Sequence, residues 1–205
     1  MTREPSEDRL ALTRDRILEN AVSQFARQGF DGASLRNIAD AAGVQHGMVR
    51  YIFGTKRQLW RDAISFLYAR MDAEWSFASA GIPHEPRAAF TYFVHWYVGY
   101  GARHPEHAQM MMQQSVLGGE DLEWAVMTFI RERHERHLPA LRALKSSGAL
   151  PAVDETALLL MLASACQMPF VLAPEIQMAR GVDLLDPDEV ARYAEAVVAT
   201  FLRPE

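Results

Sequence analysis

Two short apolar-periodic segments flank a single glycine, Gly43, with a small residue, Ala39, four positions ahead of it, in the stretch "IADAAGVQHGMVRYIFGTK". No other feature of the chain restricts its folding so tightly. Two helices joined by a turn of three or four residues must cross steeply. One turn residue must accept positive φ, which Gly43 does without a Cβ penalty. The first helix must be small where the second packs on it, and Ala39 is. The inner side must be apolar, and Ile38, Ala42, Val44, Val49, Ile52 and Phe53 supply it. The residues left to face outward are Gln45, His46, Gly47, Met48, Arg50 and Tyr51. Asp40 is the stretch's one acidic residue, and it precedes the second helix.

The rest of the chain carries helical spacing almost throughout, so an all-α fold is expected. Leu10, Ile17, Leu18, Ala21, Val22 and Phe25 recur at steps of three and four, one face of a first helix that Gly29 should end. Ser34 is a helix-starting residue for a short helix to about residue 42, and a second short helix is expected over about residues 45–52. Gly54 then breaks the chain and Thr55 caps a long helix bearing Leu59, Trp60, Ile64, Leu67 and Met71. "AAFTYFVHWYVGYG" has strand-forming composition. Its apolar residues Phe90, Phe93, Val94, Tyr97 and Val98 nevertheless share one helical face. Pro105 opens a shorter helix, and residues 121–146 read as one helix kinked at Pro139. Apolar helices are expected over about 154–172 and 186–202, the latter started by Asp186, Pro187 and Glu189. The division expected is a three-helix bundle over residues 8–54, joined by the long helix to a larger helical part over 55–205.

Charge is unevenly placed. Residues 1–60 carry nine Lys/Arg and seven Asp/Glu, a net of +2, whereas residues 61–205 carry twelve and nineteen, a net of −7. A small positive field on an acidic body suits a confined contact with a polyanion better than coating of a polymer. The single cysteine, Cys166, lies in an apolar run and fits a reducing compartment. "MTREPSEDRL" has no apolar signal core, and "ALLLMLASACQMPFVLA" is shorter than the ~20 residues of a membrane span. The expectation is a cytoplasmic protein without a membrane partner.

A steeply crossed helix pair with an acid-free outer face fits the major groove of DNA. Arg50 can take guanine bidentately or bond a phosphate, Gln45 can read adenine, and Met48 or the bare backbone at Gly47 can meet a thymine methyl. Lys56 adds its charge to the amides that open the long helix, an anion-favouring place.

Leu18, Ala21, Phe25, Gly29, Phe30, Ser34, Ile38, Ala39, Ala42, Gly43, Val44, Gly47, Tyr51, Phe53, Lys56 and Leu59 together resemble the amino-terminal domain of the TetR family of transcription regulators. The resemblance covers about residues 10–60. Beyond that, the chain is similar only in its helical character, its length and its tail. The resemblance implies a phosphate contact for Ser34, base edges against His46, Gly47 and Met48, and a backbone grip by Arg50, Tyr51 and Lys56. The chain departs from the family in Gln45, where Ser or Thr is preferred as a cap, and in Met48, Arg50 and Ile52. These departures bear on the DNA sequence read, not on the class of partner.

In the larger part, Trp75, Tyr92, His95, Trp96, Tyr100, Met111, Trp124, Met127 and Met161 are candidates for the wall of a small-molecule pocket, which the resemblance implies and which aromatic and methionine side chains suit. The alternative for each is plain core. His104 with His107, and His134 with His137, have metal-ligand spacing but no local third ligand, so no metal or other cofactor is expected. No catalytic motif stands out. The two final helices are too apolar for one covering surface. Leu158, Leu162, Cys166, Phe170, Val190, Tyr193, Val197 and Phe201 are therefore candidates for a homodimer interface. The function expected is a repressor that binds a palindromic operator in double-stranded DNA as a dimer and is released by a small, largely apolar ligand. An activator or ligand-independent regulator of the same fold is one alternative; a helical enzyme or small-molecule carrier is another.

Overall fold

The computed structural model describes residues 7–204; the first six residues of the polar amino-terminal stretch, and Glu205, lie outside the described residues. The described chain is helical from end to end: α1 (Glu7–Gly32), α2 (Leu35–Ala41), α3 (His46–Phe53), α4 (Lys56–Ser79), α5 (Pro86–Arg103), α6 (Pro105–Leu117), α7 (Gly119–Ala125), α8 (Arg131–Ser146), α9 (Glu155–Val171), α10 (Ala173–Arg180) and α11 (Pro187–Phe201). A π turn, Val126–Ile130, joins α7 to α8.

Local chemistry sets most of the boundaries. Gly29 breaks α1 with φ 71°, and one further turn follows before the chain leaves the helix. The Ser34 hydroxyl accepts from the Arg36 amide and starts α2, and the Thr55 hydroxyl accepts from the Gln58 amide and starts α4. Asp154 and Asp186 each accept from two amides at the heads of α9 and α11. Such caps satisfy donors that the helix itself cannot. Gln45, at the head of α3, makes no side-chain cap bond. The aromatic run is helical as α5. Pro139 lies inside α8 without ending it, and the irregularity in this region is the π turn instead. The short helix α10 was not expected from the sequence. It follows α9 at a 66° bend.

Two cores result. The first gathers Ile17, Leu18, Phe25, Ile38, Ala39, Val49, Phe53, Leu59, Trp60 and Ile64, and takes in Met110 of α6 and Ala125 of α7. Packing is thus continuous across residue 55. The second joins α5, α8, α9 and α11 through Phe90, Val94, Val98, Leu144, Leu158, Leu162, Cys166, Phe170, Val197 and Phe201. Burial alone pushes the Cys166 thiol up to about 12, consistent with a packing role. Among the described residues no single helix is long and apolar enough to cross a membrane.

Gly101 is where α5 meets α9 most closely. A Cβ there would lie 2.9 Å from the Cys166 carbonyl oxygen, the Gln167 Nε2 and the Phe170 ring. Gly101→Ala should therefore cost about 1–3 kcal/mol in denaturant unfolding, because a backbone carbonyl cannot step aside. Gly99→Ala is the contrast. Its Cβ would meet only Arg103 Nη1, at 3.2 Å, on a side chain that can swing away. The gain in helix propensity, up to about 1 kcal/mol, should leave that variant unchanged or stabilised.

Candidate nucleic-acid interface

The turn between α2 and α3 is closed by backbone bonds from Gly43 to Asp40 (3.1 Å) and from Val44 to Ala39 (3.0 Å). Gly43 takes φ 65°. Ile38, Ala39, Ala42, Val49 and Phe53 face inward and are buried, while Val44 and Ile52 pack partly buried against them. This fixes the rotation of α3 about its axis.

The opposite side of α3 is open. Gln45, His46, Gly47, Arg50 and Tyr51 are exposed, Tyr51 by 80%, and Met48 is half-buried at their edge. No acidic side chain occupies the first turn of α2, α3 or α4. Ser34 is half-buried, and its hydroxyl is engaged with the Arg36 amide. The ammonium of Lys56 is anchored to the far end of α1: it donates to the Asp31 carbonyl at 3.1 Å and stands 4.9 Å from the centre of the Phe30 ring. An ammonium has three donors, so this anchoring leaves two for an anion while fixing where the charge sits.

Three residues at this edge were not singled out from the sequence. Arg36 and Asn37 are exposed on α2 beside Ser34. Arg14 lines an open groove with Leu10, Ala11, Tyr51 and Ile52; its guanidinium pairs with Asp62 at 2.9 Å and lies over the Phe53 ring. For Arg36, the position two residues into a helix capped by Ser34 was an available signal. For Arg14 there was none, since its neighbours come from α3 and α4.

The candidate pocket residues divide into groups. Trp75, Trp96 and Tyr100 come together, with ring centres 4.6 Å apart for Trp75–Trp96 and 5.7 Å for Trp96–Tyr100. Trp96 also lines an open groove with Ala73, Glu74, Phe77, Ala78 and Arg103. Tyr100 is fully buried, hydrogen-bonded to His107 Nδ1 at 2.8 Å. Tyr92 is elsewhere on α5, its hydroxyl donating to the Ala78 carbonyl, and His95 pairs with Glu195 of α11. Met111 and Trp124 pack against the first core. Met127 and Met161 are exposed, Met161 on α9. The nine therefore do not form one wall.

Six of the eight interface candidates require correction. Leu158, Leu162, Cys166, Phe170, Val197 and Phe201 are each at most 7% exposed within a single chain. They pack in the second core, with Val190 and Tyr193 partly buried against it. A side chain already covered by its own fold has no surface left for a partner. The exposed residues of α9 are Thr156, Leu160, Met161 and Ser164, and this side continues through half-buried Met168 to Leu172. Among the described residues no group of three or more His, Cys, Asp and Glu is arranged to hold a metal.

Comparison with known proteins agrees with this geometry. The family model described as "Bacterial regulatory proteins, tetR family" matches residues 17–63. The HTH-type transcriptional repressor NicS of Pseudomonas putida is 28% identical over 107 residues, 52% of this chain and 50% of that protein. The match thus spans about half the length of that relative. The HTH-type transcriptional regulator RutR of Escherichia coli is 21% identical over 92% of this chain and 89% of its own. Among solved structures, the ketosteroid transcriptional regulator KstR2 of Mycobacterium tuberculosis superposes with a TM-score of 0.69 at 14% identity, covering 93% of this chain and 95% of that one. At that identity the likeness concerns fold alone. Residues 17–63, with their crossed helices and open α3 face, match the tetR family of bacterial regulatory proteins.

Proposed function

We propose that the protein is a transcriptional repressor that binds a palindromic operator as a homodimer and leaves it when a small, largely apolar ligand occupies the helical body. The observation that carries this reading is the exposed, acid-free side of α3, held in rotation by an inner side whose Val49 and Phe53 are buried. Gln45, His46, Gly47 and Met48 are placed to meet base edges. Arg50 and Tyr51 stand beside them, and Ser34 and Lys56 flank the face where phosphates would run. A two-fold axis through the carboxy-terminal helices sets two such faces one DNA turn, ~34–36 Å, apart. The aromatic cluster of Trp75, Trp96 and Tyr100, with the groove beside Trp96, is the place proposed for the ligand. Such a molecule changes DNA affinity only through its unequal affinity for the two arrangements of the heads.

The test is gel-shift titration with duplexes from the DNA flanking the protein's own gene. A specific band with steep salt dependence is expected. Arg50→Ala should weaken binding by about 1–3 kcal/mol on the preferred duplex if Arg50 reads a base. A uniform loss over all duplexes assigns Arg50 to phosphate. A wild-type chain that shifts no duplex refutes the reading as a whole.

A further inference from the structure

The groove beside Trp96 is framed by one side each of α4 and α5. Ala73, Phe77 and Ala78 border it from α4 and Trp96 from α5, while Glu74 and Arg103 form its polar edge. It encloses about 460 Å³, within the roughly 300–1,000 Å³ of small-molecule sites. Trp96 is braced: its ring centre lies 4.6 Å from that of Trp75, which meets Phe93 edge-on at 5.5 Å. Phe77 is left almost bare, 88% exposed. One aromatic ring held in place and another left open, with small alanines beside them, suit a flat ring laid between the two helices.

The charges at the polar edge cancel. Arg103 Nη2 donates to Glu74 Oε2 at 2.7 Å, and His104 Nε2 stands 2.7 Å from Oε1, so both carboxylate oxygens are engaged. The Arg103 guanidinium lies over the bare backbone of Gly99, where a Cβ would stand 3.2 Å from Nη1. Burial would raise the Glu74 carboxyl, but the bonds from Arg103 and His104 prevail and hold it below its ordinary value. A charged molecule entering the groove therefore meets no net opposite charge, and it gives up hydration that nothing there replaces. An uncharged one loses nothing by the pairing.

We propose that the groove takes an uncharged planar aromatic molecule, and that the Glu74–Arg103 pair is the filter that disfavours charged ones. This rests on the reading above that the ligand sits beside Trp96. The Glu74 and Arg103 side chains are 30 and 54% exposed, so water screens them and the discrimination is several-fold rather than absolute. Its signature is that breaking the pair from either side redirects the preference. Without the Glu74 charge the Arg103 fork is free for a carboxylate. Without Arg103 the Glu74 charge is left for an ammonium.

The experiment is calorimetric titration of the full-length chain, without DNA, using three probes that share one ring system: indole-3-acetamide, indole-3-acetate and tryptamine. The wild type should bind the acetamide several-fold tighter than either charged probe. Glu74→Gln should reverse the order of acetamide and acetate, and Arg103→Gln should bring tryptamine to the front. Phe77→Ala changes an exposed side chain; it should weaken all three probes and leave the unfolding midpoint unchanged. A wild type that binds none of the three, or prefers a charged one, overturns the proposal. So does an order of preference that both Glu74→Gln and Arg103→Gln leave as it was, or binding indifferent to Phe77→Ala. The repressor reading is judged separately, by gel shift with the same probes. A chain that binds the acetamide in this groove yet shifts no duplex, or keeps its duplex when the groove is filled, fails that reading and leaves the filter standing.

Discussion

At pH 4 the protein should be about 3 kcal/mol less stable than at pH 7 through His107 alone. His107 is buried where α6 meets α4 and α5, with Nδ1 2.8 Å from the Tyr100 hydroxyl and its ring edge-on to Tyr68 at 4.7 Å. Burial, first, and then the Arg70 charge push its pKa down from 6.5 to about 3. The unfolded chain takes up a proton near pH 6.5 that the folded chain refuses until about pH 3. Stability from this group is therefore complete above 6.5 and falls with pH by about 1.4 kcal/mol per unit. The nearby Glu106 does not obscure the measurement above pH 4.5. Burial raises its carboxyl, but hydrogen bonds from His104 and Arg70 prevail and hold it at about 2. Its contribution is lost only as pH falls from about 4.5 toward that value. Urea titrations from pH 7 to pH 4 should show His107→Gln flatter than the wild type by about 3 kcal/mol. Parallel curves for the two proteins would mean that the imidazole is not kept neutral by its site.

How far the fold could be read from the sequence depended on whether a residue acts locally. Ser34, Thr55, Asp154 and Asp186 cap the helices they were expected to cap, because a cap needs only its own next three amides. Gly43 sits at positive φ for the same reason. The outer face of α3 followed from the inner one, since a short helix with one apolar side has only one rotation that buries it. The π turn was not legible, because register inside a helix answers to neighbours such as Tyr68 rather than to the residues of "VMTFI" themselves. Nor could the anchoring of Lys56 be foreseen, as its acceptor is a main-chain carbonyl.

The interface residues failed for two different reasons. Helix α11 has a single apolar face, and its own fold uses it: Val197 and Phe201 are buried against α5 and α9, leaving Ala191, Ala196 and Ala199 outward. Helix α9 is apolar on nearly every side, so its periodicity carries no phase, and nothing in "ALLLMLASACQMPF" says whether Leu158 or Leu160 turns inward. Only the packing of α5, with Gly101 admitting α9 at close range, decides that Leu158, Leu162 and Cys166 go in.

That decision moves the dimer prediction onto another set of atoms. Leu160, Met161 and Leu172 are 55, 45 and 44% exposed, and Leu160, Ser164, Met168 and Leu172 recur every four residues along α9 and its carboxy-terminal cap. If two chains meet there about a two-fold axis, each Leu160 lies near its symmetry mate or beside the partner's α11. Leu160→Glu then buries two carboxylates without partners, which a non-polar interface does not tolerate. Sedimentation should show a dimer for the wild type and a monomer for the variant at the same concentration. The DNA consequence is larger than any single contact on α3. Joined heads bind the second half-site at high effective concentration, and separating them forfeits about 100-fold or more in operator affinity. On a duplex with one half-site the two proteins should bind alike, because the α3 face is untouched. A variant that remains dimeric would move the interface off α9. A monomeric variant that keeps full affinity for the two-half-site duplex would show that the heads act independently.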